Sequence, residues 1–121
     1  MELTAVNPAG RQLIERYGAG GFRVSGVLYA GPVIVFPDRT LPWAAASPTA
    51  DNLAPVVEHG GIELLLLGLG RHVAPVTPAL RVWLKTAGIA VEPMDTGAAC
   101  RTYNVLIAED RRVAAALLPP V

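Results

Sequence analysis

Apolar residues in this chain fall into short runs punctuated by glycine and proline. Period two marks strands and period 3.6 marks helices, which sorts the runs into elements. Residues 62–67, Ile-Glu-Leu-Leu-Leu-Leu, are apolar almost throughout. A strand covered on both faces reads this way, so the run predicts the centre of a sheet. The clearest helix follows over 78–87: Thr77 is placed to cap it, Pro78 to start it and Gly88 to end it, with Leu80, Trp83, Leu84 and Ala87 on one face. Residues 89–94 predict the next strand. Residues 96–109 predict a helix, since Ala99, Tyr103 and Leu106 recur at helical spacing. The run 112–118 is rich in good helix formers, but a helix continuing from Thr96 to Leu118 would carry Asp110, Arg111 and Arg112 midway and an apolar tail on all faces. A central strand is predicted instead.

The first half is less regular. Residues 1–17 are mixed. Residues 22–29 and 33–36 flank Ala30-Gly31-Pro32, a connection of hairpin length, so they predict two antiparallel strands. Residues 38–52 read as one long loop, with Trp43 as the anchor pinning it to the core. Leu53, Val56 and Val57 have helical spacing; Pro55 places the helix start near itself and Gly60-Gly61 ends it. Strand 62–67, helix 78–87 and strand 89–94 make a βαβ unit, whose right-handed crossover leaves the two strands parallel. The pattern is that of an α/β protein.

Composition narrows the class. At 121 residues the chain fits one domain over 1–121, able to bury roughly two-thirds of its unfolded surface. With 52% apolar and 17% charged residues it is too apolar for disorder, and its longest apolar run is too short to span a bilayer. Ten basic residues balance ten acidic ones, so nucleic acid is not an expected partner. The N-terminus has neither a basic nor an apolar leader region, and Cys100 stands alone, so a reducing cytoplasm is the expected location.

The carboxyl ends of two parallel strands bring two loops to one edge, where open α/β sheets hold ligands. One is Gly68-Leu-Gly70-Arg71-His72; the other is Asp95-Thr96-Gly97, at the start of a helix. Free backbone N–H groups there favour an anion, and Arg71 would reinforce it; Arg101 and Thr96 would be ligand contacts beside Asn104 where that residue faces the crevice. The structural alternative is that Asp95 or Thr96 caps the helix and the glycines make turns. Gly68-Leu-Gly70 lacks the third glycine of a dinucleotide fingerprint. Asp95-Thr96-Gly97 imitates the turn of retroviral-type aspartic proteases, but those work from an all-β body with two carboxylates, whereas here the turn feeds a helix.

Cys100 lies where a helix dipole would lower its pKa, and His72 is the histidine on the same edge, so a Cys100/His72 pair stands beside the commoner reading of a buried thiol. Asn104, one turn on, either bonds a neighbouring loop or faces the crevice. Two histidines without acid or thiol ligands at suitable spacing imply no metal. No cofactor is expected, and no complete catalytic set is present.

Read together, the motif order Tyr17-Gly-Ala-Gly-Gly-Phe22, Gly31-Pro-Val-Ile-Val-Phe-Pro-Asp38 with Trp43, Leu64-Leu-Leu-Leu-Gly-Leu-Gly70, and Met94-Asp-Thr-Gly-Ala-Ala-Cys-Arg-Thr-Tyr-Asn104 with Arg111-Arg-Val-Ala-Ala-Ala-Leu117 resembles a small α/β family of unknown function. That family includes mitochondrial respiratory complex I assembly factor 3. The resemblance implies a single three-layer domain with a central mixed sheet flanked by helices, and no established catalytic residue or cofactor. It also implies a protein partner met during assembly of a membrane-bound complex, with any membrane association made through that partner. Family members usually place glycine where Asp110 stands here; aspartate tolerates the left-handed conformation less well but is permitted there.

Overall fold

In the computed structural model, which describes residues 1–3 and 10–120, the first strands build a small sheet of their own. β1 (Ile14–Gly18), β2 (Gly21–Val24) and β3 (Val27–Ala30) pair antiparallel in that order. β1 lies in the mixed stretch 1–17, of which residues 4–9 fall outside the described residues. The single strand expected over 22–29 is cut at Ser25-Gly26. Both residues have positive φ, 45° and 83°, as a two-residue type I′ turn requires. The turn brings Val24 opposite Val27 and Phe22 opposite Tyr29, so residues that one continuous strand would divide between two faces share one.

The chain then leaves for a second sheet. β4 (Val33–Val35) pairs antiparallel with β5 (Thr40–Pro42) and with the last strand, so the hairpin expected around Ala30-Gly31-Pro32 does not form. Gly31, at φ 93°, redirects the backbone, and Pro32 has no N–H with which to continue a ladder. The expected loop 38–52 thus contains a strand. It also contains the first turn of α1 (Ala50–His59), which begins five residues before Pro55. A capping box accounts for that start: the Thr49 hydroxyl accepts the Asn52 N–H at 3.1 Å and the Asn52 carboxamide accepts the Thr49 N–H at 2.9 Å. Trp43 is the expected anchor, 3% exposed, its indole N–H donating to the Asn52 carbonyl at 3.0 Å.

The second half follows its pattern closely. β6 (Leu64–Leu69), α2 (Pro78–Thr86), β7 (Ala90–Met94), α3 (Thr96–Ala108) and β8 (Val113–Leu118) complete the chain. β6 runs two residues further than expected at its carboxyl end, so Gly68 is a strand residue and not part of a loop. The large sheet has the order β5-β4-β8-β6-β7, with β6 parallel to both neighbours. The run expected as a strand over 112–118 is one from Val113 to Leu118, and it runs parallel to β6.

Alternation along the central strands separates two cores. Leu65 and Leu67, with Ala114 and Ala116, face α1 and α2; Leu66, with Val113, Ala115 and Leu117, faces α3 and the small sheet. The fold is a three-layer α/β unit with the mixed sheet in the middle. Asp110 follows α3 at φ 64°, the left-handed position expected of it, and its carboxylate pairs with Arg11. No described helix is long and apolar enough to cross a membrane.

Candidate functional site

The three parallel strands β7, β6 and β8 end on one edge, and α3 starts there within two residues of β7. Asp95 is the N-cap: its Oδ1 accepts the Ala98 N–H at 2.9 Å. Thr96 is fully buried and joins the strand ends. Its N–H donates to the Gly70 carbonyl at 2.9 Å, its Oγ1 accepts the Gly70 N–H at 2.8 Å, and the same hydroxyl donates to the Leu118 carbonyl at 2.5 Å. One threonine side chain thus ties the ends of β6 and β8 to the first turn of α3.

The glycines let these parts approach. A Cβ on Gly68 would lie 2.8 Å from Leu117 Cδ2 and 3.1 Å from Thr96 Cα, so α3 packs directly on β6. Gly68→Ala should cost about 1–3 kcal/mol by overpacking, read as a lower urea midpoint at unchanged m-value; a neutral change would show that the contact is soft. Gly97 is covered by Tyr17, whose hydroxyl would lie 2.6 Å from an added Cβ, and Arg101 Nη1 donates to that hydroxyl at 3.3 Å.

Asn104 is also engaged by the fold. Its Oδ1 accepts the Ile14 N–H at 3.0 Å and its Nδ2 donates to the Ile14 carbonyl at 2.7 Å, so the carboxamide acts as one more strand neighbour for β1. Beside it, the Tyr103 hydroxyl lies 3.0 Å from the Gln12 carbonyl and 3.2 Å from that of Phe36, and burial pushes its pKa above the usual range. The sequence pattern marks Asn104 as inward-facing, but nothing in it pairs Asn104 with Ile14, Tyr17 with Gly97 or Tyr103 with Gln12.

Cys100 is fully buried in the core shared by α3 and the small sheet. Burial pushes its thiol from an ordinary 9.0 up to about 12. His72 is exposed in the loop after β6 and lines a cavity of about 360 Å³ with Leu69, Val76, Thr77, Leu80 and Leu118, on the side of the sheet that carries α1 and α2. The thiol and the imidazole therefore lie on opposite faces of the central sheet. Alkylating reagents should leave Cys100 unmodified in the native protein at mildly alkaline pH and modify it on denaturation; rapid native labelling would contradict the burial. The unfolded chain releases this proton first, so stability should fall as pH rises from about 9 towards about 12.

Of the residues expected at the site, Gly70 and Thr96 meet directly, Gly68 packs against both strand β8 and α3, and Gly97 lies under Tyr17. Arg71, His72 and Arg101 keep exposed side chains at this edge. Among the described residues no three His, Cys, Asp or Glu side chains are grouped to hold a metal.

This arrangement of layers defines a class of small α/β domain. A Bordetella pertussis protein described as an Mth938-like domain superposes with a TM-score of 0.82 at 29% identity, covering 98% of this chain and 92% of that one. A Bartonella henselae protein described as an outer membrane protein gives 0.86 at 38% identity, covering 95% of this chain and all, 100%, of the other. The chain belongs to the family described as protein of unknown function (DUF498/DUF598), whose model matches residues 14–118. An uncharacterized protein of Rhodobacter capsulatus is 40% identical over 92% of this chain and 87% of its own length. NADH dehydrogenase [ubiquinone] 1 alpha subcomplex assembly factor 3 of Xenopus tropicalis is 37% identical over 88% of this chain, which spans 61% of that relative's length.

Proposed function

We propose that this protein is a non-catalytic interaction module of the cytoplasm that assists assembly of a membrane-bound, respiratory-type complex and reaches the membrane through its partner. The observation that carries this reading is the likeness, 37% identical over 88% of the chain, to a relative whose name states an assembly role for NADH dehydrogenase. The bonding of Thr96 and Asn104 within the fold supports it, because the polar atoms of both side chains are occupied by backbone partners. Cross-linking of the tagged chain in its native cells, followed by mass spectrometry, tests the reading. Recovery of subunits of a membrane-bound respiratory complex is the expected result; repeated recovery of the chain alone would overturn it.

A second reading is favoured by the exposed side chains of Arg71, His72 and Arg101 at this edge. Here the strand-end edge around Gly68, Gly70, Asp95, Thr96 and Gly97 binds a small anion or nucleotide, with Arg71, His72 and Arg101 as the exposed groups that reach it; Cys100, buried in the core, and Asn104, held by Ile14, take no part. A ligand that binds the folded state raises the melting temperature by mass action. Inorganic phosphate and nucleotides should therefore stabilise the native chain and not Arg71→Ala; equal shifts in both proteins would dispose of this site.

A further inference from the structure

The two sheets have four outer strands, and three of them are protected. Residues 1–3 and Asn104 cover β1: the Leu3 N–H donates to the Glu15 carbonyl at 3.0 Å, the Tyr17 N–H to the Met1 carbonyl at 2.9 Å, and Asn104 holds Ile14. β5 is three residues long and ends on Pro42. β7 contains Pro93, and Arg81 Nη1 donates to its Val91 carbonyl at 3.2 Å. Short strands, prolines and covering side chains are the usual means of blunting a sheet edge.

β3 has none of these. It contains neither proline nor charge, and Val27 and Leu28 are 51% and 76% exposed. In a two-residue hairpin the residues flanking the turn exchange hydrogen bonds and the next pair does not. Val24 and Val27 flank the turn, so Val27 and Tyr29 bond β2 while the N–H and C=O of Leu28 and Ala30 point away from it. Those groups have no partner among the described residues. The charges nearest the edge are already engaged: Arg23 Nε lies 3.3 Å from Glu15 Oε1, and Arg16 stands opposite Glu2. A charged strand laid on β3 would meet no free counter-charge, whereas a strand as uncharged as β3 meets no repulsion.

β3 of a second copy satisfies this edge in one antiparallel register. With Leu28 opposite Ala30 of the other copy, each of the two symmetric pairs exchanges both its hydrogen bonds and no outward group is left over. The registers on either side fail. Leu28 opposite Leu28 sets Ala30 against Gly26, whose N–H is already held by Glu15 Oε1 at 2.7 Å. Ala30 opposite Ala30 sets Leu28 against Pro32, which has no N–H to give.

Shape agrees with the same register. On the outer face of the small sheet the row Arg16, Arg23, Leu28 lies beside the row Gly18, Gly21, Ala30. The second row carries no side chain larger than a methyl, and it lines a cavity of about 390 Å³. In the twofold pair the exposed Leu28 of each copy lies next to Ala30 of the other, where it covers that copy's cavity. On the opposite face Tyr29 meets Tyr29 on the axis, continuing the apolar row from Phe22. Both the leucine and the trough that receives it belong to one edge, as an isologous contact requires.

We propose that two copies of this chain pair antiparallel through β3, Leu28 of each opposite Ala30 of the other, joining the two small sheets into one across a twofold axis at Tyr29. Pairing of one short strand buries less than a standard interface, so the dimer is reversible and forms at high concentration. The dimer stands apart from the assembly reading: recovery of a respiratory subunit neither requires nor excludes it.

Sedimentation velocity and amide hydrogen exchange on the full chain, over a range of concentrations, test the pairing. The chain should pass from monomer to dimer, and exchange at Leu28 and Ala30 should slow by roughly tenfold as it does. Leu28→Lys alters only an exposed side chain and sets two ammonium groups diagonally across the seam, about 7–8 Å apart, so it should keep the chain monomeric. Mild oxidation reads the register. Tyr29→Cys should form a disulfide-linked dimer, because facing residues of a non-hydrogen-bonded pair lie about 4.5 Å apart at Cα, while Leu28→Cys, diagonal to its twin, should not. Cys100 is buried and does not compete. A chain that is monomeric at every concentration, a dimer whose Leu28 and Ala30 amides exchange as fast as the monomer's, or linking through Leu28→Cys in place of Tyr29→Cys would overturn the proposal. So would a chain that stays monomeric while another protein slows these two amides, since the edge would then belong to a foreign strand.

Discussion

Thr96→Val lowers the unfolding free energy by about 2–4 kcal/mol, because an isosteric change removes the hydroxyl and leaves two backbone groups without it. The Gly70 N–H loses its acceptor and the Leu118 carbonyl loses its donor, at a site where Thr96 itself is fully buried. The volume is nearly kept, so packing contributes little and the loss reports the hydrogen bonds. Thr96→Ser keeps both bonds and gives up one methyl, for which about 1 kcal/mol is expected. Urea unfolding at constant m-value measures the difference. A valine variant within about 0.5 kcal/mol of the native protein, the range of ordinary surface changes, would mean that the clamp between β6, β8 and α3 carries no weight.

Asn104→Leu costs a similar amount, about 2–4 kcal/mol, for a different reason. The bonds lost, 3.0 Å from the Ile14 N–H and 2.7 Å to its carbonyl, are both buried and join α3 to the small sheet across ninety residues of chain. Leucine fills the space but leaves both backbone groups unpaired. Hydrogen exchange should localise the damage, with the Ile14 amide accelerating while β6 and β8 stay protected. An equally large loss from Val105→Ala, at an exposed position one residue on, would refute the assignment. Together the two variants separate an architectural role for Thr96 and Asn104 from a ligand role: variants that retain native stability but lose phosphate or nucleotide binding would favour the ligand role.

What could be read from the chain was what neighbours in sequence decide. Thr77 and Pro78 start α2 as expected, Asp95 caps α3, and the two-sided apolar pattern of 62–67 marks β6 as an interior strand, which lies between β8 and β7. The errors fell where a local signal competed with a stronger one nearby. Pro55 suggests a helix start, yet the Thr49/Asn52 capping box nucleates the helix earlier. Ser25-Gly26 is a turn dipeptide inside an apolar run, and alternation alone does not weigh it against the longer connection at Gly31-Pro32. β1 carries a mixed pattern because one of its edges is covered by side chains and by residues 1–3 in place of a regular strand.

By itself the sequence determined the class of fold, the parallel βαβ unit, the caps of two helices and the family, since each depends on spacing within one segment or on motif order along the chain. Only the tertiary structure decided that Thr96 bonds Gly70 and Leu118, that Asn104 completes β1, that Cys100 and His72 sit on opposite faces, and that β3 is left as the open edge. These are contacts between residues far apart in sequence. Hydrogen bonding and burial choose such partners by position in space, and no periodicity along the chain encodes that position.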